Sequence, residues 1–278
     1  MRKAGCGMAR GQFRMPRTGL AGVEAVAAAS GHAFCRHTHD RFGIGVIDRG
    51  AQRSLSGRGT VEAGPGDVIT VNPGEVHDGA PIGGAGRSWR ILYLDPGLVL
   101  DAMAEVTGDR AGAGELVHPV VHRPDLARRV GRLFELATGG PGGGTALQRD
   151  GLLLEVLAAL VDRRPDGGHG KPGVPASVRH ACRLIDDDPA APLTLEDLAR
   201  AGGLGRFQLL RAFSRATGLT PHAYLVQRRV DAARRLIAGG VPLAEAALAS
   251  GFCDQSHLTR VFTRKYGVTP GAYAAAVA

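Results

Sequence analysis

One pattern is written twice near the C-terminal end, and this duplication constrains the chain more than any other feature. Shifting the segment by forty-nine positions superposes Gly202 on Gly251, Leu209 on Leu258, Phe213 on Phe262 and Gly218 on Gly267. The same shift lays Thr220-Pro221-x-Ala223-Tyr224 on Thr269-Pro270-x-Ala272-Tyr273. In each copy a short helix (residues 194–201 and 242–250) is expected to lead through a glycine-containing turn into a second helix (206–217 and 255–266). Two short helices across a tight turn are the sequence form of a helix-turn-helix.

In the second copy Asp254 is placed as N-cap, and Leu258, Val261 and Phe262 recur at helical spacing as a buried stripe. Gln255, Ser256, Thr259, Arg260, Thr263 and Arg264 are left facing outward. Such a face suits a helix in the major groove, where Arg reads guanine, Gln reads adenine, and Ser or Thr serves base edges or phosphates. The competing reading is a solvated face on an ordinary helical bundle; repetition at matching register favours the reader. In the first copy Arg206, Phe207, Leu210 and Arg211 map onto Gln255, Ser256, Thr259 and Arg260. The expected DNA contacts are therefore Arg206, Phe207, Gln208, Arg211, Gln255, Ser256, His257, Thr259 and Arg260. Phe207 is suited to thymine methyls. Gly205 stands where Asp254 caps the second copy, which removes a side-chain cap. Between the copies, Thr220 caps and Gly239 ends a helix over 221–238. At ~1.5 Å per residue it spans roughly 27 Å, near the ~34 Å between successive major-groove faces.

Residues 178–273 resemble the DNA-binding domain of the AraC/XylS family of bacterial transcription regulators, most specifically in GF-x-D-Q-S-x-L-x-R-x-F-x-x-x-x-G-x-T-P-x-x-Y of the second copy. The resemblance implies a double helix-turn-helix reader of a duplex operator, usually an activator in contact with RNA polymerase, controlled by a small-molecule effector.

Charge agrees with a polyanionic partner. The chain of 278 residues carries a formal +8, and thirteen Lys/Arg against eight Asp/Glu from Ser177 onward make the repeat region the denser in positive charge. The four cysteines (Cys6, Cys35, Cys182, Cys253) form no CxxC or secreted framework, so reduced thiols in the cytoplasm are expected. Residues 20–29 make a poor signal peptide because Glu24 interrupts them. No segment approaches the ~20 apolar residues that span a bilayer.

Residues 1–19 read as a mobile tail. From Val23 the pattern changes to short β-type runs at 23–34, 43–47, 52–55, 59–61, 67–71 and 87–94, separated by Gly, Pro and Asp turns. Many short strands with such turns suggest a sandwich or barrel. Gly31-x5-His37-x-His39-x10-Gly50 and Gly66-x7-Gly74-x2-His77 resemble the two cupin motifs, although Gly43 or Ile44 falls where metal-binding cupins place a Glu. The resemblance implies a cupin-like jelly roll of the kind that holds effectors in AraC-type regulators. Strand alternation puts Cys35, His37 and His39 on one face, with His77 brought toward them by the fold. These groups suit either a transition metal or the polar lining of an organic pocket. The organic reading takes His37, His39, His77, Trp89, Tyr93 and Arg36 as effector contacts, with Arg41 or Arg90 also available to an anion. It needs no cofactor. The alternatives are a metal-sensing regulator or a metal-dependent cupin enzyme using His37, His39 and His77.

After Asp95-Pro96-Gly97 the chain turns helical, with helices expected at 98–107, 124–138 and 145–163 around the loop GGPGGG. In AraC-type regulators a helix pair here dimerises; the pair equally suits a cap on the barrel, and Leu157 is a candidate interface residue. Residues 164–176 read as a linker, and a helix over 178–187 opens the DNA-binding domain. The expected architecture is mixed β and α in two domains. Residues 20–163 form a cupin-like jelly roll with a helical pair, and residues 177–278 form an all-α tandem helix-turn-helix.

Overall fold

The computed structural model describes residues 11–107, 115–139, 145–160 and 174–277. The first ten residues, residues 164–173 of the expected linker and most of the GGPGGG loop lie outside them. The chain divides into two compact units near Arg163/Arg164, with the short segment Arg36–Thr38 grouped with the second.

Among the described residues, the N-terminal unit comprises two β-sheets and three helices. Its strands are β1 (Gln12–Arg14), β2 (Val23–Ser30), β3 (Phe34–His37), β4 (Phe42–Arg49), β5 (Ala51–Ser56), β6 (Gly59–Ala63), β7 (Val68–Val71), β8 (His77–Ile82), β9 (Arg87–Leu94) and β10 (Val120–Val121). One sheet has the order β1-β2-β9-β4-β7-β10 and the other β3-β8-β5-β6. Strand β9 pairs antiparallel with β2 along Val23↔Leu94 to Ser30↔Arg87 and with β4 along Phe42↔Leu94 to Ile47↔Trp89.

Period-2 alternation sorts the larger sheet's side chains into two cores. Val23, Ala25, Phe42, Ile44, Val46, Leu92 and Leu94 face α1 (Pro96–Thr107), α2 (Pro124–Thr138) and α3 (Ala146–Leu160) in one buried cluster. Val26, Ala28, Ile47, Ile69, Trp89 and Ile91 face the other way, against Ala63 and Phe34 of the second sheet. A register shift between Ile47 and Arg49 sets Asp48 beside Arg90. Nε and Nη2 of Arg90 donate to that carboxylate at 2.9–3.2 Å.

Four expectations change. Residues 12–14, read as tail, form β1 and pair with Ala27–Ala29. The run 23–34 is two strands in different sheets. Strand β8 does not stand out in the sequence because Gly79 and Pro81 interrupt it. Leu157 is fully buried in its own chain's core, so it is not an interface residue; Leu147 on the same helix is 81% exposed.

The C-terminal unit comprises α4 (Ala176–Asp187), α5 (Leu195–Ala201), α6 (Arg206–Thr217), α7 (Pro221–Ala238), α8 (Leu243–Ala249), α9 (Gln255–Tyr266) and α10 (Pro270–Val277). Helix α10 is an addition to the expected elements. The duplication is visible as structure: Leu209 and Phe213 of α6 and Leu258 and Phe262 of α9 are all fully buried. Both helices end on a left-handed glycine, Gly218 at φ 75° and Gly267 at φ 76°.

The register of the repeat changes inside the turn. Leu204 N donates to Ala199 O and Phe252 N to Ala247 O, and the left-handed turn glycines are Gly203 and Gly251. Gly251 is thus the counterpart of Gly203 rather than of Gly202. The second turn carries one extra residue before its helix begins.

Candidate DNA interface and effector site

Both helix-turn-helix units carry a core stripe in their second helix, and side-chain caps fix the start of α5 in the first copy and of α9 in the second. Thr194 and Asp197 form a reciprocal capping box at α5: Asp197 N donates to Thr194 Oγ1 at 3.2 Å, and Thr194 N to Asp197 Oδ2 at 3.0 Å. At α9, Asp254 Oδ1 accepts from His257 N at 2.6 Å. At α6, Gly205 offers no side-chain cap, and Gln208 Oε1 reaches back to accept from Gly205 N at 3.1 Å.

The buried stripes turn the expected contact residues outward. Arg206, Phe207, Gln208 and Arg211 are exposed on α6, Phe207 at 71%. On α9 Gln255, Ser256 and Arg260 are exposed, while Thr259 and His257 are half-buried, His257 edge-on to Phe252 at 5.2 Å. Thr263, read as outward, is half-buried with its Oγ1 enclosed, so it leaves the outward set.

Helix α7 fixes the two copies together through its polar side chains. Toward α4, Arg228 Nε and Tyr224 Oη both donate to Asp186, at 2.8 and 3.0 Å, and Arg229 Nε donates to Pro189 O at 2.7 Å. Toward the second copy, Lys265 Nζ donates to Gln227 Oε1 at 2.8 Å, Gln227 Nε2 to Asp231 Oδ1 at 2.9 Å, and Tyr266 Oη to Asp231 Oδ1 at 3.2 Å. Arg234 lies over Tyr266 and Tyr273, 5.4 and 5.5 Å from their centroids. Gln227 and Asp231 are 1% and 2% exposed, so these hydrogen bonds are made in a low-dielectric interior, where each is electrostatically stronger than in water. None of these residues stands out in the sequence, because charged residues on an 18-residue helix read first as a solvated face.

The second site lies in the N-terminal unit. His37, His39 and His77 each place a ring nitrogen within 4.8 Å of those of the other two. His37 and His39 are both 5% exposed. The His39 ring lies 5.0 Å from that of His77 and 4.7 Å from that of Tyr93. The turn Asn72-Pro73-Gly74-Glu75 closes with Glu75 N donating to Asn72 O at 3.1 Å and Gly74 at φ 73°, as a type II turn requires. Its Gly74 N donates to His39 O at 2.7 Å, which pins the His37–His39 segment to the loop before His77. Nδ1 of His77 donates to Glu75 O at 3.0 Å. Desolvation of the His77 ring lowers its pKa below the ordinary histidine value, partly offset by that carbonyl.

Other expected effector contacts do not join this group. Cys35 and Arg36 are exposed. Trp89 faces the same interior as Tyr93 but lies four residues along β9, roughly 13 Å at ~3.3 Å per residue, edge-on to Phe13 and Phe34. Arg90 faces the helices and is held by Asp48. Arg41 lies 3.5 Å from Glu24.

Two residues have roles here that the sequence does not announce. Arg87, 4% exposed, donates to Gln52 Oε1, His32 O and Gly79 O at 2.9–3.2 Å and stacks 4.7 Å from Trp89; burial pushes its pKa down to about 10. Gly43, opposite Tyr93 in the ladder, has no side chain where a Cβ would meet the Tyr93 ring at 3.4 Å.

Comparison with known proteins adds to this geometry. Residues 20–157 match the AraC-like ligand-binding domain and residues 198–276 a helix-turn-helix domain. The HTH-type transcriptional regulator YbfI of Bacillus subtilis (strain 168) is 30% identical over 230 residues, covering 81% of each chain. The chain belongs to the AraC family of transcription regulators. Its effector-binding domain precedes its DNA-binding domain, as in the family. The transcriptional activator RhaS of Escherichia fergusonii is 27% identical over 150 residues, 54% of this chain and 53% of that one. The fold is also that of ToxT from Vibrio cholerae O395, with TM-score 0.55 at 12% identity over 96% of this chain and 98% of that one. Among the described residues no helix is long and apolar enough to cross a membrane.

Proposed function

We propose that this regulator reads a bipartite operator with α6 and α9 of one chain and activates transcription from it in the cytoplasm, in contact with RNA polymerase. The observation that carries the reading is the repeated helix presentation. Two helices on matching buried anchors expose Arg206, Phe207 and Arg211 in one copy and Gln255, Ser256 and Arg260 in the other. Arg side chains in these positions suit guanine edges and phosphates, and Gln255 suits adenine. Gln208 serves its own helix start as well.

An organic effector bound between the two sheets sets the output by preferring one arrangement of the domains; only differential affinity for two arrangements can do this. The interior offers it an apolar wall (Val26, Ile69, Ile91) and polar groups at the histidine end, including Tyr93. No group in this reading performs a reaction, so the protein acts by binding. Two copies associate through α3, where Leu147, Gly151, Leu154 and Ala158 recur at helical spacing with Leu147 exposed.

The test is operator binding by Arg260→Ala. A direct base contact predicts a loss of about 1–3 kcal/mol and relaxed preference at one operator position. A loss that is equal across operator variants would reassign Arg260 to a phosphate; no loss would remove it from the interface.

A further inference from the structure

We infer that a groove between α2 and strands β4 and β9 binds a small organic anion carrying a single carboxylate, held by Arg128 and Arg132. The groove lies on the helix side of the larger sheet, apart from the interior between the two sheets. Its volume is about 470 Å³, within the ~300–1,000 Å³ usual for small-ligand sites. Val46 and Ala127 border it from the apolar core, and Asp48, Arg90, Arg128, Arg132 and Glu135 supply its charge.

The charge selects the ligand. Three arginines meet two carboxylates in the lining, and both carboxylates are already engaged. Arg90 Nε and Nη2 donate to Asp48 at 2.9–3.2 Å, and Arg90 Nη1 lies 3.6 Å from Glu135 Oε1. Arg132 Nη1 lies 3.5 Å from the other oxygen of Glu135. Elsewhere along α2, Arg123 is paired with Asp125 at 2.6 Å and Arg129 with Glu155 at 3.6 Å. Arg128 has no acidic partner among the described residues. The lining is thus one positive charge in excess, which a single carboxylate balances. A cationic ligand would have to displace Arg90 from both of its acids.

Geometry suits the same ligand. Arg128 and Arg132 stand one turn apart on α2, both exposed, where side chains four residues apart are neighbours and like charges repel. A carboxylate between them relieves that repulsion, and each guanidinium offers paired N–H groups to its oxygens. Ala127 and Gly131, also one turn apart and both buried, keep the sheet-facing side of the helix low. A Cβ at Gly131 would meet Arg90 Nη2 at 3.3 Å, so the glycine lets α2 pass close over the Arg90–Asp48 pair. The small volume and the Val46–Ala127 border favour a short alkyl body behind the carboxylate.

A ligand placed here touches α2 and β4 together. Leu133 and Phe134 of α2 share one buried cluster with Leu153 and Val156 of α3, so occupancy bears on the helix pair as well as on the sheet.

The experiment uses the full chain without DNA and follows trifluorobutanoate by fluorine NMR, with the neutral trifluorobutanamide as its isostere. Wild type should bind one equivalent of the carboxylate saturably by millimolar concentration and should not bind the amide. Arg128→Glu should weaken binding about tenfold or more, the loss expected of one hydrogen bond to a charged group, and Arg128→Glu/Arg132→Glu should abolish it. Both positions are exposed, and circular dichroism checks that the variants are folded. In wild type the carboxylate should slow amide hydrogen exchange over residues 124–135 and 46–48. Added salt should weaken binding, because exposed charges are screened.

A wild-type chain that binds no carboxylate, or binds the amide equally well, overturns the inference. So does undiminished binding by the folded double variant, or protection confined to segments outside α2 and β4. The wild-type exchange map needs no variant and locates the ligand by itself. None of these outcomes touches the effector reading for the interior between the sheets, which is tested by ligand-dependent change in operator affinity.

Discussion

The two recognition helices differ in one residue at their starts, and that difference is measurable. Asp254 Oδ1 accepts from His257 N at 2.6 Å, whereas Gly205 has only the returning Gln208 side chain. Replacing a capping Asp by Ala costs about 1 kcal/mol, within a range of ~0.5–2. If that cost falls on local opening of the first turn, the open population rises about fivefold, since ~1.4 kcal/mol is a factor of ten. Asp254→Ala should therefore speed amide hydrogen exchange about fivefold in the first turn of α9 and leave α6 unchanged. The converse substitution, Gly205→Ser, suits the backbone, because Gly205 sits at φ −68°, ψ 152° and its Cβ would meet nothing nearer than Gln208 Oε1 at 3.6 Å. It gains a few tenths of a kcal/mol as a cap and about 0.4–1 from the less flexible unfolded chain. Exchange at the start of α6 should slow about three- to ninefold. The assay is hydrogen exchange with mass spectrometry on the full chain without DNA. Equal exchange at both helix starts in wild type, or no change at α9 in Asp254→Ala, would refute the reasoning that these caps set helix-start stability.

Other outcomes follow from burial. Leu157→Ala, at a fully buried position, should destabilise the N-terminal unit by about 2–5 kcal/mol, read by denaturant unfolding. Leu147→Glu, at an 81% exposed one, should leave stability within ~0.5 kcal/mol and halve the mass in light scattering if α3 carries the dimer; an unchanged mass with the fold intact removes that interface. Alkylation followed by peptide mapping should label exposed Cys35 and Cys253 well before Cys182, because burial, aided by Asp186, pushes the Cys182 thiol up to about 11 and little reactive thiolate forms near neutral pH. Labelling of Cys182 as fast as Cys253 would contradict that burial.

The residues that fold by local rules are legible in the sequence, and those that depend on distant partners are not. Helices α2, α6, α7 and α9 have their expected bounds, because each carries its own end signal: Pro124 at N1, Thr220 or Asp254 at the cap, and Gly218, Gly239 or Gly267 at the end. Strand β9 is equally legible from its alternation. By contrast, β1 is three residues long and is held by distant partners, pairing with β2 and setting Phe13 against Phe34 and Trp89. Helix α10 has an almost uniformly apolar, alanine-rich run with no polar face to mark its period.

The same division runs through the sites. The spacing of His37, His39 and His77 points to their convergence, and the structure groups them. Strand alternation places Cys35 with them, yet it is exposed while His37, two residues along the same strand, is buried. Trp89 and Tyr93 share a face of β9, but a shared face says nothing of distance along it. Arg87 and Gly43 gain their roles from neighbours on other strands, which the linear sequence does not announce.

The central claim is that both helix-turn-helix units of one chain read DNA. Selection of binding sites from random duplexes by the full chain tests it directly. The account predicts two selected blocks separated by about one helical turn, ~10 base pairs centre to centre, with Arg211→Ala degrading one block and Arg260→Ala the other. A single selected block, insensitive to Arg211→Ala, would contradict it.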